Sequence, residues 1–204
     1  SNNNISSLYE DREGVLWVGT WGLGVNKHSS AQDKFILYRH DPENPQSIPF
    51  DGVFGMAADP SGIAWLGTAG SGLVRFDPVT GQTTRYQTKP GDSDSLANQN
   101  VWSVYRDRKG VLWVGTSYGL DQMDERTGEF IHHQVDTKNP ETSIRSNFVS
   151  QIYESPDGSF WIGTRAGLDR YDRDTGKFFH LVDLFEPQDI TSEYVGAIFE
   201  DRDG

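Results

Sequence analysis

A single sequence signature returns every 48 residues along the chain. Tryptophan followed by an aliphatic residue, glycine and threonine occurs at Trp17, Trp65, Trp113 and Trp161. A glycine stands three residues earlier each time, at Gly14, Gly62, Gly110 and Gly158. Such regular self-similarity predicts a repeat architecture, in which each unit buries its apolar surface against the next unit.

The second unit shows how one repeat is built. Its apolar residues and turn residues predict four strands, over 53–58, 63–68, 72–77 and 83–86. The segment 59–62 contains proline and glycine and joins the first two strands, and 77–81 does the same for the last two. Proline suits the first corner of a type I turn, and glycine suits a positive φ. No segment shows a helical period, so no helix is predicted.

Four antiparallel strands in a unit of this length are typical of a β-propeller blade. A β-solenoid is the alternative, but its repeats are shorter and lack hairpins. We therefore predict an all-β chain, a β-propeller fragment of four four-stranded antiparallel blades of about 48 residues. The blades occupy 5–52, 53–100, 101–148 and 149–194, followed by an orphan strand, the first of a fifth blade, within 195–204. The repeated tryptophan is assigned to packing between blades.

The starts of the innermost strands indicate an open arc. They fall at Ile5, Val53, Val101, Val149 and Val195. In a closed ring of four blades, the first and the last of these strands would compete for one place. An arc leaves apolar faces that recruit partners. The chain could therefore form a homodimer through its open blade edges or remain a single arc.

Composition excludes several functions. Lys and Arg number 18 against 30 Asp and Glu, which gives a net charge of −12. This charge disfavours binding to nucleic acid or to an anionic membrane. No apolar run approaches the roughly 20 residues that cross a bilayer, and the first residues do not form a signal peptide. The chain has 0 cysteines, which excludes disulfides and thiol chemistry.

Residues with catalytic chemistry do not form a recognisable site. His132 and His133 are consecutive in a predicted strand, so their side chains point to opposite faces. Asp92 and Asp94 supply too few oxygens for a calcium loop. No phosphate-binding loop or Ser-His-Asp order is present, and no histidine lies in a first strand, where a streptogramin-inactivating propeller lyase would need one. We predict no catalytic residues, no metal and no cofactor.

Loops that differ between units are the candidates for ligand binding. The loops between second and third strands and the residues before each inner strand are expected on one face. They provide Trp21, Tyr118, Arg165, Asn100 and Asn147. Aromatic rings stack on sugars, arginine pairs with carboxylates or sulfates, and amides both donate and accept hydrogen bonds. The alternative is that these are ordinary variable loop tips. Trp102 is assigned to packing between blades.

The repeated positions resemble the two-component regulator propeller repeat. The shared pattern is V-x-x-[IMLV]-x-x-D-x-x-G-x-x-W-[VIL]-G-T-x-x-G-[LV]-x-x-[YFM]-D-x-x-T-G-x-F, and it spans nearly all of the chain. The resemblance implies a bacterial membrane sensor whose propeller lies outside the cytoplasmic membrane, in the periplasm or the extracellular space. It also implies a transmembrane helix and a histidine kinase or diguanylate cyclase beyond the propeller.

From this resemblance we expect a non-catalytic, ligand-sensing propeller of a two-component signalling protein. Its ligand would be a saccharide or another small molecule, with no nucleic acid and no direct membrane contact. One alternative is a scaffold for protein interaction and dimerisation without a small ligand. A third hypothesis is a propeller lyase or hydrolase.

Overall fold

The computed structural model describes residues 4–22, 24–29, 33–49, 52–181 and 194–201. Within them, sixteen strands form four antiparallel sheets of four strands each. Sheet 1 contains β1 (Ile5–Glu10), β2 (Leu16–Thr20), β3 (Gly24–Ser29) and β4 (Lys34–Tyr38). Sheet 2 contains β5 (Val53–Ala58), β6 (Ala64–Thr68), β7 (Leu73–Phe76) and β8 (Thr83–Tyr86).

Sheets 3 and 4 repeat this arrangement. Sheet 3 contains β9 (Val101–Arg106), β10 (Leu112–Thr116), β11 (Gly119–Asp124) and β12 (Glu129–His133). Sheet 4 contains β13 (Val149–Glu154), β14 (Phe160–Thr164), β15 (Gly167–Asp172) and β16 (Lys177–His180). Strand order follows chain order in every sheet. The inner strands β1, β5, β9 and β13 contact one another in succession. The predicted all-β class and the four blade-like sheets are confirmed.

The tight turn between the first two strands of each sheet follows from its sequence. In sheet 2, the Asp59 carboxylate accepts hydrogen bonds from the backbone N–H groups of Ser61 and Ile63, at 2.8 and 3.1 Å. Gly62 has a φ of 84°, a conformation that costs a side-chain-bearing residue energy. A Cβ on this glycine would meet no atom within 4 Å. The turn therefore requires glycine because of its backbone angle and not because of crowding.

The glycine inside the repeated signature has a different role, which is close approach between sheets. A Cβ on Gly67 would lie 2.6 Å from the side chain of Val101, the first residue of the next inner strand. A Cβ on Gly115 would lie 2.8 Å from Val149 in the same way. Each sheet thus brings its second strand against the next inner strand, and only glycine leaves room for it.

The hydrophobic core consists of three clusters, one between each pair of neighbouring sheets. Trp17, Trp65 and Trp113 lie in these clusters and are at most 2% exposed. Trp161 is half-buried, because no sheet among the described residues covers its side of sheet 4. The low aliphatic content of the chain is therefore compensated by large aromatic side chains placed between sheets.

Two features differ from the sequence predictions. A 3₁₀ turn, η1, forms at Pro140–Thr142, where no helix was expected; proline occupies an early position of the turn, which its fixed φ favours. Residues 194–201, part of the predicted orphan strand, pair with no strand among the described residues. Val195 nevertheless lies against sheet 4, where its N–H donates to Thr164 O at 3.0 Å. Positions 182–193 and 202–204, parts of the predicted fourth blade and orphan strand, lie outside the described residues.

Candidate functional site

Five aromatic side chains form a continuous row along the ends of the inner strands. We call Trp21, Phe54, Trp102, Phe148 and Tyr194 the rim aromatic row. Neighbouring ring centroids in it are 5.0, 4.9, 5.4 and 6.1 Å apart in that order. Such separations are those of interacting aromatic pairs. The row crosses from sheet 1 to the segment beyond sheet 4, so each ring is carried by a different part of the arc.

Backbone irregularities place two of these rings on the rim. The pairing of β5 with β6 shifts between Val53 and Gly55, and the pairing of β9 with β10 shifts at the corresponding point. Phe54 and Trp102 are the extra residues at these two bulges. A bulge re-aims the side chain of its extra residue. The two rings therefore project along the rim and are not confined to one sheet face.

The loops between second and third strands lie directly beside the row. The first loop residue of each sheet donates its N–H to the carbonyl just before the inner strand, at 3.1 Å, in the pairs Trp21–Asn4, Ala69–Gly52, Ser117–Asn100 and Arg165–Phe148. The repeated hydrogen bond fixes these loop residues next to the inner-strand ends. Variable side chains at equivalent positions thus face the same rim.

Polar groups accompany the row at two points. The Trp102 indole N–H donates to the Ser117 hydroxyl at 2.8 Å. The Arg165 guanidinium lies 4.5 Å from the centre of the Phe148 ring, within the range of a cation–π contact. Because Arg165 is exposed, its N–H groups are accessible to an acceptor from solvent. The rim therefore combines aromatic faces with a hydroxyl and a cation.

The five predicted site residues differ in their relation to the rim aromatic row. Trp21 belongs to the row and Arg165 contacts it. Tyr118 is 53% exposed, one residue beyond Ser117, and is not a member of the row. The Asn147 side-chain oxygen accepts the Val135 N–H at 2.7 Å, so it fixes the loop after sheet 3. Asn100 is half-buried, and its carbonyl oxygen accepts the Ser117 N–H.

Sequence reasoning missed three members of the row, namely Phe54, Phe148 and Tyr194. Trp102 had been assigned to packing alone, and its ring does lie between the rings of sheets 2 and 4. A signal was available, since an aromatic residue stands next to the first valine of four successive inner strands. The aromatic residue follows the valine in two units and precedes it in the other two, so the aromatic residues do not recur at one fixed position of the repeat.

A groove of about 750 Å³ runs along the concave side of the inner strands, and Phe54, Trp102 and Tyr194 line it. Its other walls include serine hydroxyls, tyrosines and Arg106. Within the described part of the chain, no group of three or more His, Cys, Asp or Glu side chains could hold a metal ion. The site can therefore stack on a ligand and hydrogen-bond to it with the groups named above.

Four meandering sheets that stack through their faces, with their first strands innermost, define an arc of a β-propeller. The two component regulator propeller family model matches residues 1–22, 95–118 and 143–166. These segments contain the inner-strand and tryptophan portions of units one, three and four. In these three units the chain is therefore similar to the two component regulator propeller repeat. No curated protein matches the chain.

One solved structure is similar over nearly the whole chain. The extracellular domain of a protein described as a hybrid two component system of B. thetaiotaomicron is 25% identical, with a TM-score of 0.63; the match covers 95% of this chain and 30% of that one. The chain thus spans under a third of the length of that relative. None of the helices among the described residues is long and apolar enough to cross a membrane.

Two lyases share the fold. An inactive variant of virginiamycin B lyase from Staphylococcus aureus is 14% identical, with a TM-score of 0.62, and the match covers 86% of this chain and 54% of that one. A streptogramin B lyase is 17% identical, with a TM-score of 0.61 and coverage of 84% and 52%. At these identities the likeness extends to the fold alone, and no catalytic role is transferred.

Proposed function

We propose that this chain is a ligand-sensing part of the extracellular or periplasmic portion of a bacterial two-component signalling protein, and that it binds without catalysing a reaction. The family repeats and the similarity to an extracellular domain of such a system support this role. In this proposal, the remainder of the longer protein crosses the membrane and carries an output domain of the histidine kinase or diguanylate cyclase type.

The observation that carries the proposal is the rim aromatic row. Its outer members, Trp21 and Tyr194, are 55% and 58% exposed, although large aromatic side chains usually bury their surface. The three rings between them are half-buried, so the row as a whole offers partly exposed aromatic surface on which flat apolar faces can stack at little conformational cost. The pyranose ring of a saccharide presents such a face, and its hydroxyl groups can pair with Ser117 and Arg165. We therefore propose a saccharide as the ligand class.

Binding can be tested with a panel of hexasaccharides containing cello-, xylo-, manno- and galacturono-oligomers, by calorimetry at up to 1 mM. We expect at least one member to bind and Trp21→Ala to weaken its affinity by roughly two- to tenfold, since loss of one aromatic contact costs about 0.5–1.5 kcal/mol. Phe35→Ala is the matched control, because Phe35 is 53% exposed but lies on β4, away from the row.

Equal loss of affinity in both variants would contradict a site at the row. Failure of every panel member to bind would overturn the saccharide proposal and favour the scaffold alternative. Thermal unfolding of each variant shows whether Trp21→Ala remains folded.

The scaffold alternative has its own supporting observation on sheet 1. Leu8, Phe35 and Leu37 are 65%, 53% and 50% exposed and lie on the face of sheet 1 that points away from sheet 2. Exposed apolar side chains in such a group favour association with a partner. If a second copy of the chain covers them, light scattering will give a mass that rises with concentration, and Leu37→Lys will abolish the rise. A constant monomer mass would exclude dimerisation of this chain through sheet 1.

A further inference from the structure

A histidine ties the loop after sheet 2 to sheet 3. His132, on β12, lies opposite Asp121, on β11. Its Nδ1 atom is 2.7 Å from a carboxylate oxygen of Asp121, and its Nε2 atom is 2.8 Å from the carbonyl oxygen of Ser93 in that loop. The other oxygen of Asp121 accepts the Ala97 N–H at 2.8 Å. The pair thus holds the loop at two points.

The number of protons at this contact determines whether it can hold. Both imidazole nitrogens face oxygen acceptors, but a neutral imidazole has only one N–H to donate. If Asp121 is ionised, only the imidazolium form of His132 donates at both positions. A protonated Asp121 would instead donate to Nδ1, and the Nε2–H would donate to Ser93. In either arrangement the pair holds two protons, one more than a carboxylate beside a neutral imidazole, and it needs both to satisfy every contact.

The same arrangement occurs in sheet 4. His180 lies opposite Asp169, with its Nδ1 atom 2.7 Å from the carboxylate, and its Nε2 atom is 3.3 Å from the carbonyl oxygen of Pro140. Asp169 also accepts the Arg145 N–H at 2.8 Å. Two neighbouring units therefore hold the loops that precede their inner strands with the same pair of residue types.

Sheet 2 makes the same connection with a permanently charged group. Arg85 occupies the position of His132 and lies opposite Val74. Its guanidinium donates to the carbonyl oxygens of Pro45 and Ser47, each at 3.2 Å, in the loop after sheet 1. Arginine keeps its charge throughout the physiological pH range. The molecule thus contains an internal counterpart of the histidine contact that does not titrate.

We propose that the Asp121–His132–Ser93 contact is a pH-dependent clasp, which holds the loop 89–97 on sheet 3 when the pair is protonated and releases it when the proton leaves. The loop continues through 98–100 into β9, whose second residue, Trp102, belongs to the rim aromatic row. External pH would therefore change how firmly the candidate ligand-binding rim is anchored. This inference concerns loop anchoring and stands independently of the ligand.

The groups around His132 favour its protonated form, which is the form that holds the loop. The hydrogen bond with Asp121 raises the pKa of His132 above 6.5, against the opposing effect of burial, and Asp94 in the loop acts in the same direction as Asp121. Burial raises the pKa of Asp121 as well. On β12, the neighbouring His133 has a pKa lowered to about 4 and is neutral near pH 7. Because the folded-state pKa of His132 is raised, its contribution is complete below about pH 6.5 and is lost as pH rises through the folded-state value.

Hydrogen exchange on the whole chain at pH 6.0 and 8.5 tests the clasp. After correction for intrinsic exchange, we expect protection of 93–97 to fall roughly tenfold at the higher pH, the size of effect that one charge-assisted hydrogen bond supports. The segment 44–47, whose Pro45 and Ser47 carbonyl oxygens accept hydrogen bonds from Arg85, is the internal control and should keep its protection. Ile48 is left out, because its carbonyl oxygen lies 3.1 Å from His40 Nδ1. His132→Arg should make 93–97 behave like the control, and His132→Gln should leave it weakly protected at both pH values.

Equal pH dependence in 93–97 and 44–47 would overturn the proposal. So would a pH response in His132→Arg as large as that of the wild type. Far-ultraviolet circular dichroism of both variants verifies that the sheets remain intact, so that a loss of protection can be assigned to the loop.

Discussion

The interface between sheets 2 and 3 and the interface between sheets 3 and 4 share one geometry but differ in their polar contacts. In the first, Trp65 and Tyr86 have ring centroids 5.8 Å apart at 34°. In the second, Trp113 and His133 occupy the equivalent positions with the same separation and angle. Yet Trp113 donates its indole N–H to Asp107 at 3.0 Å, whereas the Trp65 indole N–H has no partner among the described residues.

The ionic contacts differ in a related way. In sheet 3, Arg106 pairs with Glu125 at 2.7 Å, and two further guanidinium nitrogens of Arg106 lack a partner within the described chain. In sheet 4, the equivalent positions carry the opposite charges: Glu154 pairs with Arg173 at 2.5 Å. Arg173 also reaches across to Asp107 of sheet 3 at 2.8 Å. The repeat therefore determines which positions meet at an interface. The hydrogen bonds and ion pairs at these positions differ from one unit to the next.

The largest expected effect follows from removing the arginine that joins sheets 3 and 4. Arg173→Met leaves Asp107 and Glu154, which are 1% and 4% exposed, without their cation. Leaving buried charges unpaired costs about 3–5 kcal/mol of unfolding free energy. The matched variant Arg106→Met should cost at most about 1 kcal/mol, because the side chain of Glu125 is one-third exposed and water can replace its partner.

Urea unfolding monitored by tryptophan fluorescence measures both variants. Equal losses would show that the two ion pairs contribute alike, which would contradict the contrast between the interfaces.

The second prediction concerns the aromatic residue that differs between the interfaces. Burial lowers the pKa of His133 from 6.5 to about 4. Its contribution to stability is present above the unfolded value of about 6.5 and is lost as pH falls toward 4, by about 3 kcal/mol for a shift of this size. His133→Tyr introduces the residue found at the equivalent position of sheet 2 and should remove this loss.

The measurement is the difference in unfolding free energy between wild type and His133→Tyr at pH 7 and pH 4.5, which cancels the titration of the carboxylates common to both. An unchanged difference at the two pH values would mean that His133 is not buried as a neutral ring.

The smallest predicted effect compares two tryptophans. Trp113→Phe and Trp65→Phe remove similar packing, but only the first breaks a hydrogen bond to a carboxylate. Trp113→Phe should therefore cost roughly 1–2 kcal/mol more than Trp65→Phe. Chemical denaturation of the two variants under identical conditions tests this difference. A larger loss in Trp65→Phe would indicate that its indole has a bound water that Trp113 does not need.

Much of the fold could be predicted because the same residue types recur at equivalent positions of several units. In the second unit, the predicted strands 53–58 and 83–86 coincide with β5 and β8. The predicted strand 63–68 is one residue longer than β6 at its start, and 72–77 is one residue longer than β7 at each end. Turn glycines and buried tryptophans respond to local geometry, which recurs in every unit. Among the described residues, the short turn at Pro140–Thr142 occurs in a single loop, so no repetition pointed to it.

The candidate site was less predictable because it depends on contacts between units. Trp21 and Arg165 were recognisable as variable loop residues, but Phe148 stands before its inner strand and Phe54 lies inside one. Their proximity results from bulges and from the stacking of sheets, neither of which leaves a signal in a single unit. Asn147 looked available for a ligand, and its bond to Val135 depends on a loop whose path the sequence does not specify.

The rim aromatic row has one more consequence, which is mechanical. Its rings are carried by separate sheets, so the distance between Phe54 and Trp102, or between Trp102 and Phe148, is set by the angle at which two sheets meet. A rigid molecule that contacts two of these rings would favour one angle between the two sheets and would oppose a change in that angle. Any such contact at the rim would be transmitted along the arc as a small change in its curvature.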